Sequence, residues 1–318
     1  MKRVLVVSYS QTGQLTSVVR SVVAPLLEAP DIEVTFETLE PVTPYAFPWP
    51  FLEFFNTFPE TVHARPRPLK PLRVGRNDSF DLILLAYQVW FLSPSQPIAA
   101  FLQMPEAAHW LRGTPVVTLI ACRNMWLMAQ ETMKQRLSAL GAHLIDNVVL
   151  TDRAHSAATF ISTPLWMLTG RRGPFFGGIV PTAGIDAADI AAASRFGRAI
   201  AAGLPALDAA DPRPLLTGWG AVRVNERLIG SERIGYRSFR AWGRLLLALG
   251  QPRSRVRRLV LCLYVVFLVA MILTVAPAVA LVKRALSPWT RERIARERAY
   301  FAAPSGEADD AVRSYAHG

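Results

Sequence analysis

Short apolar runs alternate with segments of helical periodicity over the first two thirds of the chain. Five runs, either continuous or alternating with polar residues, predict strands at 3–9, 32–39, 81–87, 114–122 and 143–151. Apolar residues spaced three and four apart predict helices at 14–29, 94–104, 128–142 and 186–204, with Ser95 and Gly141 as caps. Strands that alternate with helices indicate a parallel α/β sheet with right-handed crossovers and helices on both faces.

A second hydrophobic pattern lies near the C-terminus. Residues 259–282 contain no charge, and fifteen of these 24 residues are Leu, Ile, Val or Phe. A helix of this length is about 36 Å long, which exceeds the roughly 30 Å hydrocarbon core of a bilayer. We therefore predict a membrane segment. It is either a single span, which we favour, or a re-entrant hairpin bent near Pro277 with both ends in the cytoplasm.

Basic residues surround this segment. The chain has a net charge of +11, but residues 1–205 carry 17 basic and 15 acidic side chains, so the excess lies in residues 206–318. Anionic partners of a basic region include nucleic acid and membrane surfaces, and the apolar segment favours the membrane lipid over nucleic acid. Six basic residues lie within about 20 positions on each side, so the positive-inside rule gives no orientation.

The start of the chain does not have the pattern of a secretory signal. The apolar run after its basic start is only four residues long before Ser8. We therefore expect the residues ahead of the membrane segment to fold in the cytoplasm, with the chain on the inner membrane. Two cysteines, Cys122 and Cys262, offer no disulfide framework, because the second lies in the apolar segment.

A polar loop, SYSQTGQL at 8–15, follows the first predicted strand and leads into the first predicted helix. Open α/β sheets bind ligands at the carboxyl ends of their strands, next to the point where the strand order reverses. A helix N-terminus there favours a phosphate, and Gly13 permits close approach of the backbone. The chain has no G-x-G-x-x-G and no G-x-x-x-x-G-K, which argues against a Rossmann dinucleotide site and a P-loop.

The loop YSQTGQL, placed in this α/β pattern, resembles the phosphate loop of the flavodoxin-like family over roughly residues 1–205. The five predicted strands suit the flavodoxin-like order 2-1-3-4-5, and the resemblance implies FMN as the cofactor. Leu15 departs from the family, which often has a hydroxyl residue there, and Thr16 substitutes for it imperfectly. The loops at 87–102 and 122–126 resemble those around the flavin ring, with Trp90 or Tyr87 as the stacking residue. The residues implied to contact FMN are Ser8, Ser10, Gln11, Thr12, Gly13, Gln14, Leu15, Tyr87, Gln88, Val89, Trp90, Cys122, Arg123 and Asn124.

A narrower resemblance combines this loop with a Pro- and aromatic-rich insertion and an appended hydrophobic tail. In these features the chain is similar to the flavodoxin-like proteins of dialkylresorcinol biosynthesis, often named dialkylresorcinol condensing enzymes. The resemblance implies oxidation (aromatisation) of a dialkylcyclohexanedione to a resorcinol, beside a ketosynthase-type partner. The substrate would then be a lipophilic small molecule.

Two insertions and a C-terminal extension depart from a minimal flavodoxin. Residues 41–71 are expected to cap an apolar pocket, to rest on the bilayer or to form a packed lid without a ligand. Residues 152–185 follow the fifth strand, and both insertions are expected to overhang the flavin site. Residues 206–258 predict a basic linker with an amphipathic helix at 235–250, and residues 283–318 predict a basic and then disordered tail.

Histidine is the candidate general base for a flavin-dependent oxidation, because its pKa leaves it largely neutral at cytoplasmic pH. His155 lies just beyond the fifth predicted strand, at the ligand edge, whereas His143 begins that strand at the opposite edge. His155 is therefore the predicted catalytic base, with Tyr87 next, and a structural histidine is the alternative. No Cys and His spacing indicates a metal site, and there is no G-x-S-x-G motif.

Three functions remain open at this point. The first is a membrane-attached FMN oxidoreductase acting on a lipophilic ring, either the cyclic dione or, as a quinone reductase, a quinone. The second, an electron-carrier flavodoxin, fits less well because such carriers are acidic and soluble. The third is a non-enzymatic scaffold that holds a partner enzyme at the membrane. Flavin content separates the scaffold from the other two, and turnover of a lipophilic substrate separates the enzyme from the carrier.

Overall fold

Strands and helices alternate along the chain as predicted. The computed structural model describes residues 1–154 and 156–316, without the side chains of 156–157, 275–290 and 315–316. The strands are β1 (Lys2–Ser8), β2 (Ile32–Thr38), β3 (Leu82–Tyr87), β4 (Val89–Trp90), β5 (Ser93–Pro94), β6 (Pro115–Cys122) and β7 (His143–Thr151). The helices are α1 (Gln14–Glu28), α2 (Phe51–Asn56), α3 (Phe58–Val62), α4 (Gln96–Phe101), α5 (Pro105–Leu111), α6 (Leu127–Ala139), α7 (Ser156–Thr169), α8 (Ala187–Ala192), α9 (Ser194–Gly203), α10 (Glu226–Ala248), α11 (Arg255–Ala302) and α12 (Asp310–Ala316).

The five predicted strands form one parallel sheet in the order β2-β1-β3-β6-β7. With the short β4–β5 hairpin left aside, this is the flavodoxin-like order 2-1-3-4-5. The predicted flavodoxin-like α/β fold is thereby confirmed. The strand order reverses between β1 and β3, so the crevice that serves ligands in such folds lies at the carboxyl ends of these two strands.

Both faces of the sheet are buried, which explains its continuous apolar runs. In β1, Val4 and Val6 pack on one face with α1 and α9. Leu5 and Val7 pack on the opposite face with α4, α5 and α6. Helices α1 and α9 approach closely at Gly197, where an added Cβ would lie only 1.8 Å from a backbone oxygen of α1. Glycine at this position therefore sets the spacing of the two helices.

Two predicted helices differ in detail from the observed ones. Helix α4 is shorter than the predicted 94–104, since the residue before Pro105 is extended and a new helix starts at the proline. Ser95 occupies the N-cap position of α4, but its hydroxyl makes no capping hydrogen bond. The predicted helix at 186–204 consists of α8 and α9, and the Asp186 side chain caps α8.

A tight hairpin replaces part of the predicted loop at 87–102. Strands β4 and β5 pair antiparallel, and the two turn residues Phe91 and Leu92 have φ of 49° and 59°. Two consecutive positive φ angles are typical of the turn that closes a two-residue hairpin. The hairpin carries Trp90 and Phe91 away from the sheet, towards the first insertion, which folds into α2 and α3.

Segments before and after the apolar stretch of α11 pack against the α/β domain. Leu216 lies in the core cluster on one face of the sheet, and Val222 lies in the cluster on the other. The predicted amphipathic helix at 235–250 is the C-terminal part of α10. The prediction of a disordered tail is wrong for residues 299–316. Phe301 and Ser305 are buried against the domain, and the Ser305 hydroxyl donates a hydrogen bond to Asp146.

One helix in the described part of the chain is long and apolar enough to cross a membrane. Its window, Arg255–Thr274, has a mean hydropathy of 2.4, and only 22% of it is buried. This window is the first part of α11, a helix of 48 residues. Length and composition thus agree with the segment predicted at 259–282, and its insertion into a membrane stays a prediction.

Candidate functional site

The polar loop of residues 8–14, called here the phosphate loop, lies at the carboxyl end of β1 and leads into α1. Gly13 is the N-cap of α1 with φ of +79°, and no atom lies within 4 Å of the position of an added Cβ. Ser10 Oγ is buried and has no hydrogen-bond partner among the described residues. An unpartnered hydroxyl and an open left-handed glycine turn therefore lie three residues apart, just before a helix, in a segment that suits a phosphate.

Side chains of the loop tie it to both insertions. Gln11 Nε2 donates to the carbonyl oxygens of Tyr45 and Ala46 in the first insertion, at 3.1 and 2.8 Å. Gln14 and Ile185 of the second insertion form two reciprocal hydrogen bonds, at 3.2 and 3.1 Å. The structure therefore brings both insertions to the phosphate loop, and their overhang of a flavin site stays a prediction.

The predicted second loop also reaches the phosphate loop. Gln88 Oε1 accepts a hydrogen bond from the backbone amide of Gln11 at 3.0 Å. Val89 and Trp90 follow in β4 and are half-buried. The predicted contact residues Gln11, Gln88 and Trp90 thus lie close together, although they come from different parts of the chain.

Four aromatic side chains pack above the loop. The ring of Trp90 lies 5.0 Å from Tyr45, 5.8 Å from Trp49 and 6.1 Å from Tyr9, measured between centroids. We call these residues the aromatic cluster. Burial raises the pKa of both tyrosines, so their hydroxyls are neutral. The cluster fills the space next to Trp90 with the protein's own rings.

Ring contacts continue from the aromatic cluster to helix α11. Trp49 contacts Phe54, and Phe54 contacts Phe91, at 5.8 and 5.0 Å. Phe91 contacts Phe58 of α3, which lies 4.9 Å from Tyr264 of α11. The first insertion therefore lies between the phosphate loop and the first part of α11, Arg255–Thr274, which we call the apolar arm. The sequence of the insertion did not reveal this position.

Two of the predicted contact residues have a different role. Tyr87 is fully buried in the core, and its hydroxyl donates to Gln130 Oε1 at 2.6 Å. Burial raises its pKa well above the ordinary value. Tyr87 can therefore neither stack on a flavin nor act as the base, which corrects both expectations. Leu15 is likewise buried, in the core beneath α1, so only its backbone is available to a ligand.

The third predicted loop, Cys122 to Asn124, follows β6 and is held by the second insertion. The Asp152 amide donates to the carbonyl oxygens of Cys122 and Arg123, and Asp152 Oδ2 accepts from Gly184. The Arg123 guanidinium lies 3.9 Å from the centre of the Phe160 ring, and burial lowers its pKa to about 10. Burial also raises the pKa of the Cys122 thiol, so this cysteine is not a reactive thiolate.

The predicted catalytic base cannot be placed in this geometry. His155 lies outside the described residues, as does His317. His143 begins β7 at the opposite edge of the sheet and is exposed, as predicted. His63 Nε2 lies 3.0 Å from the carbonyl oxygen of Arg240, and burial lowers the pKa of this imidazole.

Two well-formed cavities in the described part of the chain lie away from the phosphate loop. The first, of about 190 Å³, is lined by His63, Ser93, Thr132, Tyr236 and Arg240 among others. The second, of about 210 Å³, lies beside Glu37 and Lys70. Within the described residues, no three His, Cys, Asp or Glu side chains converge as they would around a metal ion.

No family model and no curated protein matches the chain. Among solved structures, it is similar to a flavoprotein from Lactobacillus acidophilus NCFM in complex with FMN, with 17% identity and a TM-score of 0.37; the match covers 46% of this chain and 92% of that one. A flavodoxin from the domain Archaea has 9% identity and a TM-score of 0.35, over 64% of this chain and 99% of that one. A Fusobacterium nucleatum flavodoxin bound to flavin mononucleotide has 10% identity and a TM-score of 0.28, over 48% and 73%. These likenesses are weak, and the fold is identified by the strand order instead.

Proposed function

We propose that the chain is a flavoprotein that binds FMN with its phosphate in the phosphate loop. The observation that carries the proposal is the buried, unpartnered Ser10 hydroxyl beside the open left-handed turn at Gly13. Both lie at the N-terminus of α1 and at the reversal of strand order, where this fold class binds its ligands. Two of the similar structures hold FMN, which agrees with this choice of cofactor.

The chain's own residues would hold the cofactor as follows. Ser10, Thr12 and the amides at the start of α1 would bind the phosphate, and Trp90 would lie against the ring. Since the aromatic cluster closes this space, the ring enters only if the first insertion moves aside. Bound FMN supplies hydride transfer to or from a substrate.

We further propose that the substrate is a lipophilic ring reached from a membrane. The aromatic residues of the first insertion lead from the phosphate loop to α11, and only 22% of its apolar window is buried. Such a surface suits a substrate with alkyl chains and does not suit a soluble protein partner of an electron carrier. On the resemblance described above, the reaction is oxidation of a cyclic dione to a dialkylresorcinol, with His155 taking the proton and a ketosynthase-type partner nearby.

The quinone reductase and the scaffold are the competing functions. A quinone has the same lipophilic ring character, so the aromatic route to α11 agrees with either substrate. Anaerobic flavin reduction by a dialkylcyclohexanedione supports the oxidase, and reoxidation of reduced flavin by a quinone supports the reductase. A chain that binds no flavin at all would be the scaffold.

A matched pair of glycine substitutions tests the flavin site. Gly13 and Gly113 have φ of +79° and +70°, and neither has an atom within 4 Å of an added Cβ. Valine at either position costs about 1–2 kcal/mol of backbone strain. Only Gly13 lies in the phosphate loop, so Gly13→Val is expected to weaken FMN binding at least about tenfold. Gly113→Val is the control for lost stability.

FMN affinity is measured by quenching of flavin fluorescence on the detergent-purified chain, after removal of bound flavin. Ser10→Ala gives a second readout, because its hydroxyl has no protein partner to lose. This variant should keep its unfolding temperature and lose about 10–100-fold in FMN affinity. Equal FMN affinity in Gly13→Val, Gly113→Val and the parent chain would refute the site.

A further inference from the structure

Both ends of the long helix α11 are fastened to the same domain. At its start, the side chain of Arg257 is 1% exposed, and all five of its N–H donors are used. Nη1 and Nη2 bind the two carboxylate oxygens of Glu60 at 2.7 and 2.8 Å. The remaining donors bind Asn56 and the carbonyl oxygen of Gly250. The first turn of α11 is therefore fixed to α2, α3 and the end of α10.

The far end of α11 and the residues after it, 297–311, are called here the C-terminal strap. Glu297 pairs with Arg233 of α10 at 2.8 Å, and Phe301 is buried in the domain core. Ser305 has no exposed surface; its hydroxyl donates to Asp146 at 2.8 Å and accepts from the Asn147 amide at 2.7 Å. The strap therefore covers β7, the edge strand of the sheet.

These two attachments are too close together for a straight helix. From Tyr264 to Glu297 a straight α-helix measures about 50 Å. The route through α10 is shorter: Tyr264 contacts Phe239 at 6.2 Å, Phe239 lies six residues from Arg233, and Arg233 pairs with Glu297. Even with every side chain extended, this route spans less than about 40 Å. Helix α11 is therefore bent between Tyr264 and Glu297, a stretch that contains Pro277 and Pro288.

The side of the apolar arm that faces away from the domain is uncovered. Leu259, Leu263, Val266 and Leu273 are 59–70% exposed. A core helix of a soluble protein would be mostly buried, whereas this window is 22% buried. Basic residues lie on both sides of the uncharged segment 259–282, at 253–258 and 283–298. Apolar surface between two cationic clusters fits an anionic lipid leaflet.

We propose that α11 enters a single leaflet as a bent helix without crossing the bilayer, and that the chain before it and the strap after it lie on the same side of the membrane. This inference rests on the membrane attachment in the proposed function. The uncharged residues 259–282 would lie in the leaflet, and the charged residues 283–298 would return to the headgroup layer. A crossing would instead remove Phe301 and Ser305 from the core.

The re-entrant topology also accounts for the balanced charge around the apolar segment. Six basic residues on each side give a single span no preferred orientation. When both ends of the segment lie at one headgroup layer, both clusters bind the same anionic surface, and no asymmetry is required. The single span favoured from the sequence is thus replaced by the re-entrant alternative.

Cysteine accessibility tests the topology in membranes of an expression host. Glu28→Cys on α1 and Ser314→Cys in α12 are placed separately in a background that carries both Cys122→Ser and Cys262→Ser, since both new sites are exposed and neither native cysteine is fully buried. A membrane-impermeant maleimide is applied to intact spheroplasts and to inverted vesicles. We expect both cysteines to react in inverted vesicles and neither in spheroplasts. Labelling of the two cysteines in opposite preparations would overturn the re-entrant topology and leave membrane attachment standing.

Attachment itself is measured first, by sedimentation of the membranes after a wash at high salt. Val266→Asp places a charge on the exposed apolar side and should weaken retention about 100-fold. Leu27→Asp, at an apolar residue 59% exposed on α1, is the matched control and should be retained like the parent chain. Release of the parent chain by salt alone, or equal retention of the Val266→Asp and Leu27→Asp variants, would overturn both the attachment and the re-entrant topology.

Discussion

Glu232 gives the sharpest prediction about stability. This residue of α10 has no exposed surface and reaches the N-terminus of α6. Its Oε1 accepts a hydrogen bond from the Met128 amide at 2.8 Å, and its Oε2 is buried without a partner in the described part of the chain. Burial raises the pKa of Glu232 to about 7, although hydrogen bonds from the Leu127 and Met128 amides act in the opposite direction. A neutral side chain of the same shape therefore suits this site better than a carboxylate.

The magnitude follows from the pKa. Its ordinary value is 4.5, so between pH 4.5 and about 7 the folded chain binds a proton that the unfolded chain has lost. The free energy of unfolding therefore falls as pH rises through this window, by about 3 kcal/mol in total. In Glu232→Gln the amide oxygen still accepts from Met128, and no charge is buried. We expect this variant to match the parent chain at pH 5 and to exceed it by about 3 kcal/mol at pH 8.5.

Thermal unfolding of the full chain in a mild detergent, followed by circular dichroism at both pH values, measures the difference. At about 2 °C per kcal/mol the expected gain in unfolding temperature is about 6 °C at pH 8.5. Glu28→Gln, at an exposed position on α1, is the control and should change little at either pH. An equal shift of Glu232→Gln at pH 5 and pH 8.5 would show that packing, and not ionisation, causes the effect.

Two further predictions concern the attachment of helices. Arg257→Met leaves the Glu60 carboxylate without its partner and should cost about 3–5 kcal/mol, seen as faster hydrogen exchange of the first turns of α11; adding Glu60→Met should recover most of the loss. Gly197→Ala forces its Cβ against the Val22 carbonyl and should lower the unfolding free energy by about 3 kcal/mol, whereas Gly235→Ala meets only a flexible leucine methyl and should be neutral or stabilising.

The sheet could be predicted from the sequence because its determinants are local. Each strand is an apolar run buried on two faces, and no predicted strand end differs from the observed one by more than one residue. The alternation of side chains along the third predicted strand also predicts the face of the sheet on which the Tyr87 side chain lies. Ile83, Leu85 and Tyr87 are two residues apart, so they share the face that packs on α6. The resemblance of the loop at 87–102 to a ring-covering loop predicts Tyr87 as a flavin contact, but its side chain points into the core.

The surroundings of the phosphate loop could not be predicted, because they depend on contacts between distant segments. The loop itself was recognised from its residue types and position. That Tyr45 and Trp49 close over it depends on the path of the first insertion, which no local pattern specifies. The strap was missed for a similar reason. The segment after residue 299 is short and polar. Its fixed position on the domain depends on single buried contacts, such as that of Ser305 with Asp146.

The two halves of the first insertion are fixed with unequal strength. In α3, Gln96 Nε2 donates to the Thr57 carbonyl oxygen and to the Thr61 hydroxyl, and Glu60 holds Arg257. These contacts are buried and involve a bidentate ion pair, so they resist separation. Helix α3 therefore remains with α11 when the insertion moves, and the part able to open is the stretch before α2 that carries Tyr45 and Trp49.

The polar contacts of that stretch set the cost of opening. Tyr45 donates to Gln96 at 2.6 Å, Gln11 Nε2 donates to two carbonyl oxygens, and the Trp49 amide donates to the Met167 carbonyl oxygen at 2.8 Å. Four such bonds contribute about 4 kcal/mol in total. In the proposed flavin complex this energy is subtracted from binding and lowers the apparent FMN affinity about 1,000-fold relative to an open site. A lipophilic substrate that packs between the displaced rings and the apolar arm of α11 would offset part of that cost. Flavin and substrate would then each favour the open insertion, so each would strengthen the binding of the other.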